Sequence, residues 1–137
     1  MNAYIATSFS NRLNDESIIN CIVHTLDNLQ IQPLVFVDTY SFSATQEKEM
    51  MVAAMKAIDD CEILIANGSH KAVGVGIEAG YAKAKGKLVI YIRSNLSAHS
   101  TTLSGISDKQ IVYESLDDLA LLLQHALQNV KTKSNLP

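Results

Sequence analysis

Short apolar runs alternate along the chain with longer stretches in which apolar residues recur every three or four positions. The short runs predict strands, and the longer stretches predict helices. Five strands are predicted, at residues 3–7, 34–37, 62–66, 88–92 and 110–113. Regular alternation of strands and helices is typical of βαβ units, whose strands form a parallel sheet.

The predicted strand at residues 62–66 is nearly all apolar, as expected of a strand that is covered on both faces. Because crossovers between parallel strands are right-handed, the intervening helices fall on both faces of the sheet. The predicted fold class is therefore α/β: a five-stranded parallel sheet with helices on both faces, a flavodoxin- or Rossmann-like three-layer sandwich.

The length of 137 residues, 47% of them apolar, fits one packed domain. We assign residues 1–130 to this domain and residues 131–137 to a polar C-terminal tail. The formal net charge is −3 and the eleven Lys and Arg residues are scattered, so no nucleic-acid partner is expected. No apolar run approaches the ~18 residues that span a bilayer, so no membrane partner is expected either. Cys21 and Cys61 lack zinc or redox spacing, which predicts free thiols in a cytoplasmic protein.

Ligands of doubly wound sheets bind beyond the carboxyl ends of the strands, near the point where the strand order reverses. Ser8 and Phe9 follow the first predicted strand, and Asp38 follows the second. Residues 67–69 follow the third strand, and Arg93 follows the fourth. We therefore expect the site at this edge, with Ser8, Phe9 and Asp38 among the substrate-binding residues.

A glycine-containing turn at residues 74–76 opens the third predicted helix. The G-x-G-x-x-x-G spacing and the position after the third strand argue against a dinucleotide, and no cofactor is expected. Gly74 and Gly76 allow the backbone to approach a ligand, and the helix N-terminus directs amide donors toward it. Glu78 is placed in the first helical turn, where the dipole favours an ionised carboxylate that is suited to nucleophilic attack. Alternatively, Glu78 only complements the dipole, as acidic residues at helix starts often do.

The run VGVGIEAGYAKAKGK at residues 73–87 resembles the signature of the nucleoside 2-deoxyribosyltransferases and of their hydrolase relatives, the 2′-deoxynucleoside 5′-phosphate N-hydrolases. The similarity covers most of the chain. Residues 3–6 match the first strand of the family, residues 60–66 the third strand, and residues 104–108 the loop before the last strand. The resemblance implies that Glu78, in the G-x-E-x-G-x-A pattern, attacks the anomeric carbon of a deoxyribose.

The reaction implied by this resemblance forms a glycosyl ester on Glu78, releases the base and retains configuration overall. A second base that intercepts the ester gives transfer, and water gives hydrolysis. Tyr4 matches a tyrosine that hydrogen-bonds the nucleophile, although a strand aromatic packed on the sheet is an equally good interpretation. Ser100 matches a position that reaches the 5′ end of the sugar from a neighbouring subunit, which implies a homodimer or a dimer of dimers. A serine there favours a 5′-phosphate.

Two positions depart from the family pattern. Ala54 stands where the family has an aspartate that donates a proton, and Ala72 stands where the transferases have Asp and the phosphohydrolases have Ser. Asp38 or Glu49 could supply the missing acid, but each also fits a solvated surface carboxylate. The identity of the general acid therefore stays open.

Three functions remain open for the chain, each with a small-molecule nucleoside or nucleotide as partner. The leading hypothesis is a nucleoside 2-deoxyribosyltransferase-like enzyme that cleaves or exchanges the N-glycosidic bond of deoxynucleosides. The second is a 2′-deoxynucleoside 5′-monophosphate N-glycosidase, whose phosphate Arg12 or Arg93 could hold. The third is a non-catalytic nucleotide-binding protein that has lost the general acid. His70 and His99 have no second ligand nearby in sequence, so no metal is expected.

Overall fold

The structure, a computed structural model, describes residues 1–134. Strands and helices largely alternate along the described chain. The strands are β1 (Asn2–Ala6), β2 (Gln32–Val35), β3 (Ile63–Asn67), β4 (Leu88–Ser94) and β5 (Lys109–Tyr113). The helices are α1 (Glu16–Asn28), α2 (Phe36–Thr39), α3 (Glu47–Asp59), α4 (Val73–Ala84), α5 (Thr101–Ile106) and α6 (Leu116–Ser134).

The strands form one parallel sheet in the order β2-β1-β3-β4-β5. The chain starts on β1, adds β2 on one side, and then crosses to β3 on the other side of β1. The strand order therefore reverses between β1 and β3, which is where sheets of this type open a ligand-binding crevice. The predicted fold class is confirmed.

Successive side chains of β3 point to opposite faces of the sheet. Ile63 and Ile65 pack against apolar residues of α1 and α6. Leu64 and Ala66 pack against apolar residues of α3, α4 and α5 on the other face. Because both faces are covered, β3 needs apolar side chains at every one of these positions, and all four are at most 1% exposed.

Two short helices were not predicted from the sequence. α2 follows directly on β2, where the second strand was predicted to continue to Val37; Phe36 turns inward there and its ring is buried. α5 lies inside the predicted loop 93–108 and begins after Ser100, whose Oγ accepts a hydrogen bond from the Leu103 amide at 3.3 Å. Neither helix exceeds six residues, so neither produces a clear apolar periodicity.

The division into a domain at residues 1–130 and a C-terminal tail at residues 131–137 stays a prediction. α6 continues to Ser134, so the helix extends beyond residue 130 into the segment that was assigned to the tail. The rest of that segment, residues 135–137, lies outside the described residues. Across residues 1–134, no helix combines the length and the apolar character that a membrane crossing requires.

The prediction of a turn at residues 74–76 is wrong, because these residues already belong to a helix. α4 begins at Val73, so Gly74 and Gly76 lie within its first turn and have helical backbone. Glu78 is consequently the sixth residue of α4 and lies in the second turn. The field of the helix dipole falls off beyond the first turn, so the dipole stabilises the Glu78 carboxylate less than was expected.

Candidate active site

Tyr4 of β1 and Glu78 of α4 meet where α4 covers the sheet. The Tyr4 side chain is fully buried on the face of β1 that packs against α4, and its hydroxyl donates a hydrogen bond to Oε2 of Glu78. Side chains on a helix lean toward the helix N-terminus, so Glu78 extends back over the first turn of α4. There its Oε1 lies 3.8 Å from the position that a Cβ on Gly74 would occupy.

Aromatic rings surround the Tyr4 side of this hydrogen bond. The Tyr4 ring stacks on Phe36 with 5.8 Å between centroids, and Phe36 in turn contacts Tyr40 at 4.8 Å and Phe42 at 6.3 Å. These four residues, which we call the aromatic cluster, join β1 to the segment between β2 and α3. The buried Phe36 ring therefore covers one face of the Tyr4 ring.

Burial changes the protonation of both hydrogen-bonded groups. Desolvation raises the pKa of Glu78 from 4.5 to about 7, and the hydrogen bond from Tyr4 opposes this rise only in part. Burial and the neighbouring carboxyl also raise the pKa of Tyr4, so its hydroxyl remains a donor. The helix dipole was expected to favour the ionised form of Glu78, but burial has the larger effect and raises the pKa. Burial dominates, and the carboxyl is about half ionised near neutral pH.

A second group of polar side chains lies at the carboxyl ends of β1 and β3. Asn67, which is 2% exposed, donates hydrogen bonds of 3.1 Å to Thr7 Oγ1 and to Asp15 Oδ2. Its Oδ1 accepts from the hydroxyl of Ser69 at 2.6 Å. The other carboxylate oxygen of Asp15 lies 3.1 Å from Nε2 of His70. We call these five residues the Asp15–His70 network.

This network was missed at the sequence level. Its hydrogen-bonded pairs are separated by up to 60 positions, and each member has an ordinary structural interpretation when taken alone. The only sequence signal is Asn67, a polar residue that directly follows the apolar run of β3. A buried amide at a strand end requires partners, because an unpaired buried polar group costs about 1–3 kcal/mol.

A cleft of about 480 Å³ opens between the first turn of α4 and the start of α5. Its polar lining is cationic and hydroxylic and includes Lys71, Ser100, Thr101 and Thr102. Glu78 and Tyr4 do not line it, because they meet on the flank of α4 that faces β1. Gly76, in the first turn of α4, is part of the cleft wall.

The predicted site residues fall into two groups. A Cβ on Gly74 would lie 3.8 Å from Oε1 of Glu78, and Gly76 and Ser100 line the cleft beside the first turn of α4. The other three residues lie at the same edge of the sheet without contacting Glu78. They are Ser8, whose hydroxyl contacts Ser10 and Asn11, Phe9, which is 79% exposed, and Asp38, which forms two hydrogen bonds of 2.8 and 2.7 Å with Arg12.

Gly68 is a further constrained position that the sequence did not reveal. A Cβ on Gly68 would lie 2.2 Å from Cε2 of Tyr91. The hydroxyl of Tyr91 accepts a hydrogen bond of 3.0 Å from the Ser100 amide, so the ring must pass Gly68 to reach the start of α5. Gly68 thus allows the contact that fixes one wall of the cleft.

The histidines at this edge are paired with single side chains. His70 contacts Asp15, and Nδ1 of His99 lies 3.4 Å from Nε2 of Gln110. Within residues 1–134, no three His, Cys, Asp or Glu side chains come together in a group that could hold a metal ion.

Three solved structures of similar size share this fold. A CMP N-glycosidase from Clostridium botulinum superposes with a TM-score of 0.67 and 18% identity, over 90% of this chain and 98% of its own. A conserved protein from Enterococcus faecalis gives 0.70 and 15%, over 88% and 94% of the two chains. A 2-deoxyribosyltransferase from Bacillus psychrosaccharolyticus gives 0.67 and 13%, over 88% and 90%. No protein-family model and no curated protein matches the sequence. At these identities the likeness establishes a common fold.

Proposed function

We propose that this chain is a nucleoside 2-deoxyribosyltransferase-like enzyme that cleaves or exchanges the N-glycosidic bond of deoxynucleosides, with Glu78 as nucleophile. The observation that carries the proposal is the desolvated Glu78 carboxyl, which accepts a hydrogen bond from the buried Tyr4 of β1, one of the two strands between which the strand order reverses. Support also comes from the fold, which an N-glycosidase and a deoxyribosyltransferase share.

In the proposed reaction an oxygen of ionised Glu78 forms a bond to C1′ of the deoxyribose. The C1′–N bond breaks, its electron pair stays on the base nitrogen, and the base takes up a proton. Water or a second base then attacks C1′, which releases the Glu78 carboxylate and restores the original configuration. Two inversions at one carbon account for the retained configuration.

The environment of Glu78 suits this role in two ways. A carboxylate with few water contacts loses little solvation when it attacks, so its oxygen is more reactive than a solvated one. Tyr4 holds Oε2 and leaves Oε1, the oxygen near Gly74, for the sugar. Because Gly74 and Gly76 have no side chains, a sugar ring can lie against the first turn of α4.

The cleft favours a second candidate, a 2′-deoxynucleoside 5′-monophosphate N-glycosidase. Lys71 supplies a positive charge, and Ser100, Thr101 and Thr102 supply hydroxyl donors along the cleft wall. These groups match the oxygens of a phosphate monoester. Arg12 is a poorer candidate because its guanidinium is already bound to Asp38 and Glu16.

One assay separates these functions from a non-catalytic nucleotide-binding role, which the alanines at positions 54 and 72 favour. The protein is incubated with each deoxynucleoside, with and without a 5′-phosphate and with and without a second free base, and the products are chromatographed. We expect free or exchanged base that disappears in Glu78→Ala. Base release from the monophosphates alone would select the second candidate. Tight binding without turnover of any substrate would contradict both enzymatic functions.

We also propose that the protein is a cytoplasmic homodimer or dimer of dimers, in which Ser100 of one subunit approaches the site of another. Val73 and Ile77 on α4 are 82% and 54% exposed, and Leu96 before α5 is 91% exposed. Apolar side chains with this exposure beside the candidate site fit a surface that a second copy covers. Light scattering is expected to give a dimer or larger mass at micromolar concentration, and a monomer would contradict the assembly.

A further inference from the structure

The proposed reaction leaves one chemical requirement unmet. A departing nucleobase needs a proton, and a positioned acid accelerates such a departure about 10²- to 10⁴-fold. Ala54 and Ala72 have no proton to give. Both carboxyl oxygens of Asp38 are already engaged, because they accept hydrogen bonds from the Arg12 guanidinium, and Glu49 is an exposed residue of α3. The proton donor must therefore come from elsewhere in the chain.

Asp15 is an unusual carboxylate for its position. It is the N-cap of α1, where an aspartate ordinarily accepts a hydrogen bond from an amide of the first helical turn. Its side chain makes no such bond and instead turns toward Asn67 and His70. At 3% exposure the carboxylate is buried, and a buried carboxylate is stabilised by a cationic or donating partner. His70 is the partner that can carry a charge.

His70 is held by this carboxylate but remains accessible. Nε2 of its ring contacts Asp15 Oδ1, and its side chain is 38% exposed on the wall of the cleft. Within the described part of the chain, Nδ1 of the ring makes no hydrogen bond. A histidine with one nitrogen fixed by a carboxylate has a defined orientation, and protonation leaves the other nitrogen as a donor toward the cleft.

His70 precedes the first residue of α4 by three positions and lines the cleft together with Gly76 of the first turn, and Glu78 lies in the second turn. Gly74 comes four positions after His70, so the backbone limits the distance between their Cα atoms to about 14 Å. Oε1 of Glu78 lies 3.8 Å from the position that a Cβ on Gly74 would occupy. The intervening first turn contains the bare backbone of Gly74 and Gly76. A nucleoside that lies across this turn can therefore present its sugar to Glu78 and its base to His70.

We propose that His70, oriented by Asp15, is the proton donor to the leaving base; this inference rests on the proposed function. As Glu78 forms its bond to C1′, the C1′–N bond breaks and the proton on Nδ1 of His70 passes to the departing base. Neutral His70 then takes a proton from the attacking water, whose oxygen bonds to C1′ as the Glu78 ester breaks. Both side chains return to their starting states.

The charged and titratable groups around His70 come from several elements. Asp15 at the start of α1 faces Nε2. Lys71 is its neighbour in the β3–α4 connection, and His99 stands across the cleft. Tyr113 on β5 is buried near Asp15, and burial raises the pKa of its hydroxyl. Asp15 is the acidic side chain that contacts the His70 ring, and Lys71 is the basic residue next to it in the sequence.

The test compares two substrates that differ in their need for a proton. A 2′-deoxyguanosine requires protonation to leave, whereas its N7-methyl derivative already carries a positive charge and leaves as a neutral base. His70→Gln keeps an NH group that can reach Asp15 and removes the titratable proton. We expect it to lower kcat for the ordinary nucleoside by about 10²-fold or more, with little effect on the N7-methyl substrate. The decline of kcat at high pH is also expected to disappear in the variant.

His24→Gln is the matched control, because His24 occupies an exposed position of α1, and it is expected to leave both rates unchanged. Equal losses on both substrates in His70→Gln, or a raised KM for 5′-phosphorylated substrates with kcat unchanged, would overturn the inference. Turnover that depends on Glu78 but not on His70 would overturn the inference alone. If the wild type releases base from neither substrate, the proposed function fails and the inference fails with it.

Discussion

Replacing Glu78 by glutamine should stabilise the folded protein at alkaline pH. The pKa of Glu78 is raised from 4.5 to about 7 because the folded state removes the carboxyl from water. Folding therefore disfavours the ionised form, and the chain bears this cost whenever the carboxylate is charged. Glutamine has the same shape and cannot ionise, so Glu78→Gln avoids the cost.

The magnitude follows from the displacement of the pKa. The difference between 4.5 and about 7 corresponds to about 3 kcal/mol at 1.36 kcal/mol per pH unit. This is an upper value because the carboxyl keeps some contact with solvent, and we expect a pH-dependent gain on the order of 1–3 kcal/mol. Below pH ~4 the carboxyl is protonated in both states, so the gain is absent. It develops as the pH rises from about 4.5 to about 7 and is constant above that.

The assay is urea unfolding of wild type and Glu78→Gln at pH 4, 5, 6, 7 and 8, followed by far-ultraviolet circular dichroism. The informative quantity is the change with pH of the difference in unfolding free energy. Any loss from the new amide group is the same at every pH and cancels. The exposed Glu49→Gln on α3 is the control and is expected to change stability by less than about 0.5 kcal/mol at every pH. A Glu78→Gln difference that does not vary with pH would refute the reasoning.

Four further results are expected. Gly68→Ala places a methyl group 2.2 Å from Tyr91 Cε2 and should lower the unfolding free energy by about 1–3 kcal/mol in urea titrations, and an unchanged midpoint would contradict the clash. Gly80→Ala, whose Cβ meets nothing within 4 Å in α4, should raise the unfolding free energy by about 0.5–1 kcal/mol in the same titrations. Tyr4→Phe removes the hydroxyl that binds Glu78 and should lower kcat/KM about 10- to 100-fold, because a hydrogen bond to a charged group contributes about 1.5–3 kcal/mol. The acidic limb of kcat/KM against pH should lie near pH 7 in wild type, where Glu78 ionises, and at higher pH in Tyr4→Phe.

The layers of the fold were predictable because the chain carries strong local signals. The apolar residues of β3 are buried on both faces, and the spacing of Ile19, Ile22 and Leu26 places one face of α1 on the sheet. Periodicity of this kind identifies the elements, and right-handed crossovers arrange them. α2 and α5 were not predicted because they are too short to show a helical periodicity of apolar residues.

The start of α4 shows where local signals mislead. Glycine favours turns, so a turn was predicted at Gly74 and Gly76. The segment instead packs on the sheet as a helix, with Val75 and Ala79 buried, and this packing overrides the preference of single glycines. Because of this error, Glu78 was predicted in the first turn of the helix and not in the second. The helix dipole was therefore expected to dominate its pKa, whereas burial does so.

The site was only partly predictable for a related reason. The contact between Tyr4 and Glu78 was expected from the resemblance to a family, and its desolvation was not expected from any local pattern. The contact between Asp15 and His70 joins residues 55 positions apart and depends on the carboxyl ends of β1 and β3 being neighbours. Pairings of this kind become visible only when the topology is known.

The most direct test of the account is the detection of a covalent sugar on Glu78. A 2-deoxy-2-fluoroarabinosyl nucleoside slows the breakdown of a glycosyl ester, because fluorine disfavours positive charge at C1′. The protein is incubated with this substrate, quenched in acid, digested and analysed by mass spectrometry. We predict one fluorinated sugar on the peptide that contains Glu78, and none after Glu78→Gln. Release of the base with no sugar on the protein, or with the sugar on another residue, would contradict the account.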